Sequence, residues 1–179
     1  MQYPYEEMVQ RILRSYKKIP EPGYPNSTRD EVWDAYLHFF SDAYHLKDWI
    51  TNDDQLRPKI TVEEMDKFIE TFPNMKLLQT IVTKAKHLKA DRSHIQFRDA
   101  SVSWDDGSPR PSPAIGYEDN GFLLTEEDGY LLNENGDKIE IGGHKQEIHP
   151  RDLAIKVLFI WNKFFVDNKL KGRFSIEKG

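Results

Sequence analysis

Apolar residues recur at helical spacing through most of the first ninety positions. Met8, Ile12, Leu13 and Tyr16 mark a first helix over residues 5–18. Residues 20–26 hold three prolines and a glycine, which makes them a connector. The next helix is the longest, about six turns over residues 27–50. Val32, Tyr36, Phe39, Ala43, Leu46 and Ile50 form one stripe, and Trp33, Leu37, Phe40 and Tyr44 widen it. A stripe that broad packs against two or more neighbours. Ser27-Thr28-Arg29-Asp30 resembles a capping box with Asp in place of Glu, and Thr51-Asn52-Asp53-Asp54 ends the helix. Thr61-Val62-Glu63-Glu64 is a second capping box, for a short helix to residue 71 that Pro73 breaks. Leu78, Ile81, Val82, Ala85 and Leu88 predict a fourth helix over residues 74–90.

The period then changes. Residues 94–104 alternate in part, as a half-buried strand does. Residues 105–113 form a loop rich in Pro, Ser and Gly. Short strands follow at 122–124, 130–132 and 138–141, with Asp128-Gly129 and Asn135-Gly136 as hairpin turns where glycine supplies the positive φ. Pro150 opens a last helix at a first-turn position that proline tolerates. Leu153, Ala154, Val157, Leu158, Trp161, Phe164 and Phe165 make it the most apolar in the chain, suited to dock on the long helix. From Lys169 onward the tail is polar and expected to be loose. The pattern predicts a mainly α fold: a bundle of about five helices with a small antiparallel β insertion before the C-terminal helix. It fits one domain over residues 1–179, with the insertion at 93–149.

Composition narrows the classes. The chain has 179 residues, 12% aromatic, so it can bury a core and is not a disordered segment. No stretch approaches 18 uninterrupted apolar residues, so no membrane span is expected. The first residues lack a basic start followed by an apolar run, and there is no cysteine. A cytoplasmic location is the expectation. Absent cysteine also excludes thiolate zinc sites and cysteine nucleophiles.

The net charge is −5 and unevenly spread. Residues 105–149 carry 11 acids against 3 Lys and Arg, while residues 76–92 carry 5 bases against 1 acid. A polyanion would have to use that basic stretch, and the acidic insertion suits a protein partner. Tyr117 and Tyr130 are candidate exposed aromatics there. The plainer reading is two solvated faces that differ in charge.

No phosphate-binding loop, dinucleotide fingerprint, HExxH, GxSxG or EF-hand loop is present. Two constellations remain. His38, Asp42 and His45 lie on one face of the long helix at metal-compatible spacing, although such residues commonly border a core stripe. We assign no metal and no cofactor. His45-Leu46-Lys47-Asp48-Trp49 and the stretch Lys84 to Arg92 each set a histidine beside lysine on a helix. A histidine flanked by cations suits phosphodiester chemistry, since imidazole titrates near neutrality and cations stabilise a phosphorane. The same residues also fit ordinary amphipathic helices with polar edges.

The segment Phe39-Phe40-Ser41-Asp42-Ala43-Tyr44-His45-Leu46-Lys47-Asp48-Trp49-Ile50 and the later Lys86-His87-Leu88 resemble a group of bacterial and phage proteins, themselves similar to the HEPN-like helical domains. In that group a helix ends close to FF-x-x-x-Y-H-L-K-D-W-I and a later one carries N-x-x-K-H-L. The resemblance covers residues 32–51 and 77–92. It implies a homodimeric helical bundle with RNA as partner, often a metal-independent ribonuclease of toxin–antitoxin or phage-defence systems. It places His87 and His45 as catalytic groups and Lys47, Lys84, Lys86, Lys89 and Arg92 on nucleic acid. The family's catalytic signature is an arginine, then four to six residues, then a histidine, and no such pair occurs here. Gln79 holds the arginine's place, and Thr83 stands where the group often has Asn. Two expectations therefore stand side by side: an RNA-binding or ribonuclease domain, and a non-catalytic dimeric or partner-binding module.

Overall fold

The computed structural model describes residues 4–20, 28–85, 95–96, 100–104, 113–118 and 145–175. The fold is mainly α. Its helices are α1 (Tyr5–Lys17), α2 (Arg29–Asn52), α3 (Val62–Thr71), α4 (Pro73–Ala85) and α5 (Pro150–Asp167). Strands β1 (Ile95–Gln96), β2 (Ala100–Trp104), β3 (Pro113–Glu118) and β4 (Lys145–Ile148) form one antiparallel sheet in the order β1-β2-β3-β4. Among the described residues, no helix is long and apolar enough to cross a membrane.

α2 is the hub of the molecule, and it packs against each of the other four helices. Most of its expected stripe is buried: Tyr36, Phe39, Ala43, Leu46 and Ile50, with Trp33, Phe40 and Tyr44 beside them, while Val32 and Leu37 are half-buried against the core. The helix starts two residues later than the sequence pattern suggests. Thr28 is the N-cap and Glu31 the third helical residue. Glu31 N–H donates to Thr28 Oγ1 at 3.3 Å while Thr28 N–H donates to Glu31 Oε2 at 2.8 Å. The box that forms is Thr-Arg-Asp-Glu, because glutamate reaches back to the cap where the shorter Asp30 would not. The Thr61–Glu64 box forms as expected. Pro73 both ends α3 and opens α4 at the first helical position, where its missing N–H costs nothing.

α5 closes the core. Trp161 is fully buried, and its indole N–H donates to the Ala43 carbonyl of α2 at 3.0 Å. The methyl of Ala43 leaves room for that approach. Phe68 of α3 packs on Trp161 and Phe164, with ring centres 5.7 and 4.7 Å away. α1 docks through Met8, Val9 and Ile12, and Tyr16 sits 5.6 Å from Phe39. Pro4 offers no capping side chain to α1. Instead the Tyr5 N–H donates to Asp53 Oδ2 at 3.3 Å, so the residue that ends α2 caps the start of α1.

The β insertion differs from expectation in detail. Residues 94–104 do not form one strand. β1 and β2 pair with each other antiparallel, Ile95 opposite Val102 and Gln96 opposite Ser101. β3 and β4 fall where no strand was expected. β3 puts Pro113 first, where a strand tolerates it, and carries the buried Ile115 into the core. β4 is mostly polar and pairs with β3 at Ile115 opposite Ile148. The expected strands at 122–124, 130–132 and 138–141, their two turns, and residues 86–90 of the fourth helix lie outside the described residues.

The tail is docked rather than loose as far as residue 175. Phe174 is buried beside Phe165. Its N–H donates to Asn162 Oδ1 at 2.7 Å, and Asn162 Nδ2 donates to its carbonyl at 2.9 Å. Tyr5 Oη donates to the Lys171 carbonyl at 2.7 Å. A single aromatic in a polar segment supplies the anchor, which periodicity cannot detect. α5 ends with Lys169 at φ 54, Leu170 N–H donating to Phe165 O at 2.8 Å and Lys169 N–H to Val166 O at 3.1 Å. That is a Schellman ending with lysine where glycine is preferred.

Trp161→Phe, which removes the bond to Ala43 and part of the ring, is expected to cost about 2–3 kcal/mol in urea unfolding. Lys169→Gly relieves the left-handed backbone without touching the core. It is expected to gain about 0.5–1 kcal/mol, read as a raised melting temperature.

Candidate functional site

His45 lies on the polar edge of α2, and its Nδ1 is 2.9 Å from Asp48 Oδ2, one turn further on. A carboxylate only accepts, so Nδ1 carries the proton in this contact. Lys47 points elsewhere. Its ammonium lies over the Tyr44 ring, 4.7 Å from the centre, and 3.8 Å from Asp66 of α3. Burial pulls its pKa down, but the Tyr44 hydroxyl, Asp48 and Asp66 more than offset this and hold it above the ordinary lysine value. Lys47 thus ties α2 to α3. Lys84 is placed by its backbone in the last turn of α4. Lys86, His87, Lys89 and Arg92 lie outside the described residues, as does most of the acidic stretch with Tyr130. Thr83 donates its hydroxyl to the Gln79 carbonyl one turn back, at 2.7 Å.

The other constellation is divided among different neighbours. Asp42 is buried, and both its oxygens are occupied by α1: Arg11 Nε lies 2.9 Å from Oδ1 and Ser15 Oγ donates to Oδ2 at 2.5 Å. His45 is turned to Asp48, while His38 is exposed. Among the described residues, no three His, Cys, Asp or Glu side chains converge as a metal would need.

What the structure brings together instead is a cleft between α1 and α2. Arg11 and Arg14 of α1 and its C-cap Lys18 stand at successive turns along one wall, and His38 of α2 faces them; the cleft volume is about 460 Å³. Three carboxylates also line it. Glu31 is engaged in the α2 cap, whose backbone N–H and hydroxyl at Thr28 hold its pKa below the usual range. Asp42 is paired with Arg11, and Asp34 sits on the rim. The side chains of Arg14, Lys18 and His38 have no hydrogen-bond or ion-pair partner among the described residues. Arg11 and Arg14 also line a second hollow of about 590 Å³ with Glu7, Met8, Gln10 and Trp49. The pattern Arg11-x-x-Arg14-x-x-x-Lys18 is present in the sequence, but nothing there shows that it faces His38 and Asp42.

Comparison with family models, with curated proteins and with solved structures finds no match for this chain.

His149, which sequence reasoning did not single out, is the N-cap of α5. Its Nδ1 accepts from Arg151 N–H at 3.1 Å, and the Tyr36 ring stands edge-on 6.4 Å away. Burial pushes its pKa below the ordinary 6.5, Asp152 opposes this and Arg151 reinforces it. Protonation would put a hydrogen on the accepting nitrogen and break the cap. As pH falls the unfolded chain takes up this proton first, so stability from His149 is complete above about pH 6.5 and declines below it. Asparagine caps without titrating. Melting temperatures of wild type and His149→Asn should run parallel above about pH 7 and diverge by about pH 5.5, with wild type losing part of the about 1 kcal/mol typical of a cap.

Proposed function

We propose that this protein is a HEPN-like RNA-binding module that holds its RNA without cutting it. The observation that carries this reading is the α1–α2 cleft, where Arg14, Lys18 and His38 face solvent without partners among the described residues. Of the carboxylates that line it, Asp42 is paired with Arg11 and Ser15, Glu31 is turned to the Thr28 cap, and Asp34 stands on the rim. Arginine and lysine on successive turns meet a phosphodiester backbone at several points, and the third cation, Arg11, keeps its side chain largely exposed. The resemblance of residues 32–51 and 77–92 to the HEPN-like group supplies RNA as the polyanion. Absence of the arginine that precedes histidine in that group's nucleases favours binding over cleavage. His45, the candidate base, is held by Asp48 and does not line the cleft.

The homodimer that the resemblance implies would use α5, where Phe159 and Val166 are exposed two turns apart on one face. Sedimentation of Phe159→Ser as a monomer beside a dimeric wild type would support this arrangement, and a monomeric wild type would rule it out.

The test of RNA binding is fluorescence anisotropy with labelled RNA across a salt series. Three phosphate contacts predict that log affinity falls with log salt at a slope of about −2. Arg14→Glu with Lys18→Glu should weaken binding at least tenfold and flatten the slope. The RNA should stay intact with wild type and with His87→Ala alike. Unchanged affinity in the double variant would remove the cleft from the reading, and cleavage lost in His87→Ala would replace binding with catalysis.

A further inference from the structure

The basic cleft does not end at Arg14. The second hollow opens on the other side of Arg11 and Arg14, and its character is different. Trp49, from the last turns of α2, and Met8, from α1, give it an apolar wall. Gln10 and Glu7, both exposed, stand on its rim. The two hollows therefore share two arginines: one side is charged and the other is apolar with polar edges.

Arg11 is fixed between them. Its Nε is held by the buried Asp42 carboxylate at 2.9 Å, yet its side chain remains 61% exposed. The Nη groups are what it has left to offer. Pinning one nitrogen sets the plane of the guanidinium before any ligand arrives, which lowers the entropy cost of binding. Arg14 is one turn further on and has no partner among the described residues. Both groups line both hollows, so a phosphate held by them would lie at the junction.

We infer that the apolar hollow is a base pocket, so that the ligand is single-stranded nucleic acid with a phosphate on Arg11 and Arg14 and an unstacked base against Trp49 and Met8. A polyanion recognised by charge alone has no use for an apolar recess beside its phosphates. A nucleotide unit pairs an anion with a flat apolar ring only a few bonds away. The Gln10 amide, which both donates and accepts, and the Glu7 carboxylate, which accepts, can meet the polar edge of that ring. A duplex keeps its bases stacked inside and cannot offer one to the pocket without breaking a pair. The inference rests on the polyanion reading of the neighbouring cleft and adds to it a subsite and a preference for single strands.

The experiment compares four ligands on the full chain at one salt concentration: an unstructured single-stranded RNA, the matched single-stranded DNA, a blunt RNA duplex, and inorganic polyphosphate. Affinity is read by competition, and tryptophan fluorescence is followed in parallel. The single-stranded RNA should bind about tenfold tighter than duplex or polyphosphate and quench fluorescence. Trp49→Leu should abolish the quench and lower single-strand affinity about 5- to 100-fold while leaving polyphosphate affinity unchanged. Because Trp49 packs against the core, Trp49→Phe is the companion variant. It keeps a ring and should retain most of the preference. Matched DNA binding as well as RNA would equally support a base pocket. Duplex or polyphosphate binding as tightly as the strand, without quenching, would overturn the pocket and leave the basic cleft standing. Failure of all four ligands to bind would overturn the cleft reading itself.

Discussion

Everything in this fold depends on enclosing α2. Nine of its 24 residues are buried, and they are too widely spread around the helix for one partner to cover. α1, α3, α4 and α5 each take a share. The bond from Trp161 to the Ala43 carbonyl is the tightest statement of this requirement. A large ring can reach the backbone of α2 only where the side chain is small, so Ala43 fixes both the height and the rotation at which α5 docks. Phe68 and Phe164 then pack on that ring and set α3. The cap from Asp53 to Tyr5 sets where α1 begins.

Enclosure on this scale leaves α2 one polar edge, and α1 lies along it. Asp42 is the consequence. It sits where the edge passes beneath α1 and would be an uncompensated buried charge without Arg11 and Ser15. The same α1 ends with Arg14 and Lys17 in its last turn and Lys18 as its C-cap, where cations suit the negative end of the helix. A residue choice that steadies the end of α1 thereby lines the cleft with positive charge. Structure and candidate site are not separate features here: the ion pair that makes Asp42 tolerable also orients Arg11 toward both hollows.

The helices were legible in the sequence because each depends on local information. Periodicity placed the faces of α2 and α5, and the Thr61–Glu64 box placed α3. Errors came where a distant partner decides the outcome. The tail is held by Asn162 and by one phenylalanine against α5, and β3 is a strand because β2 and β4 pair with it. The site followed the same rule. The sequence singled out His38, Asp42 and His45 as a face of α2, and that face exists. It could not show that Arg11 and Ser15 would claim Asp42 or that Asp48 would claim His45. Those are facts about which residues meet.

Lys47 and Lys18 show why partners matter more than charge. Both are lysines on helices that border the polar edge. Lys47 lies over Tyr44 within reach of Asp66, and desolvating it for a ligand would mean undoing the tie between α2 and α3. Lys18 has no such partner among the described residues and stands in the cleft. An anion therefore loses affinity to internal competition at the first and not at the second. The same distinction bears on how a chain with net charge −5 would offer the proposed anion site. Charges more than about 10 Å apart are largely screened at ordinary salt, so the whole-chain balance matters less than the few groups within that distance. In the cleft Asp42 is paired with Arg11 and Glu31 is turned to the Thr28 cap, so an approaching phosphate meets Arg14, Lys18 and the outer face of Arg11, with Asp34 on the rim.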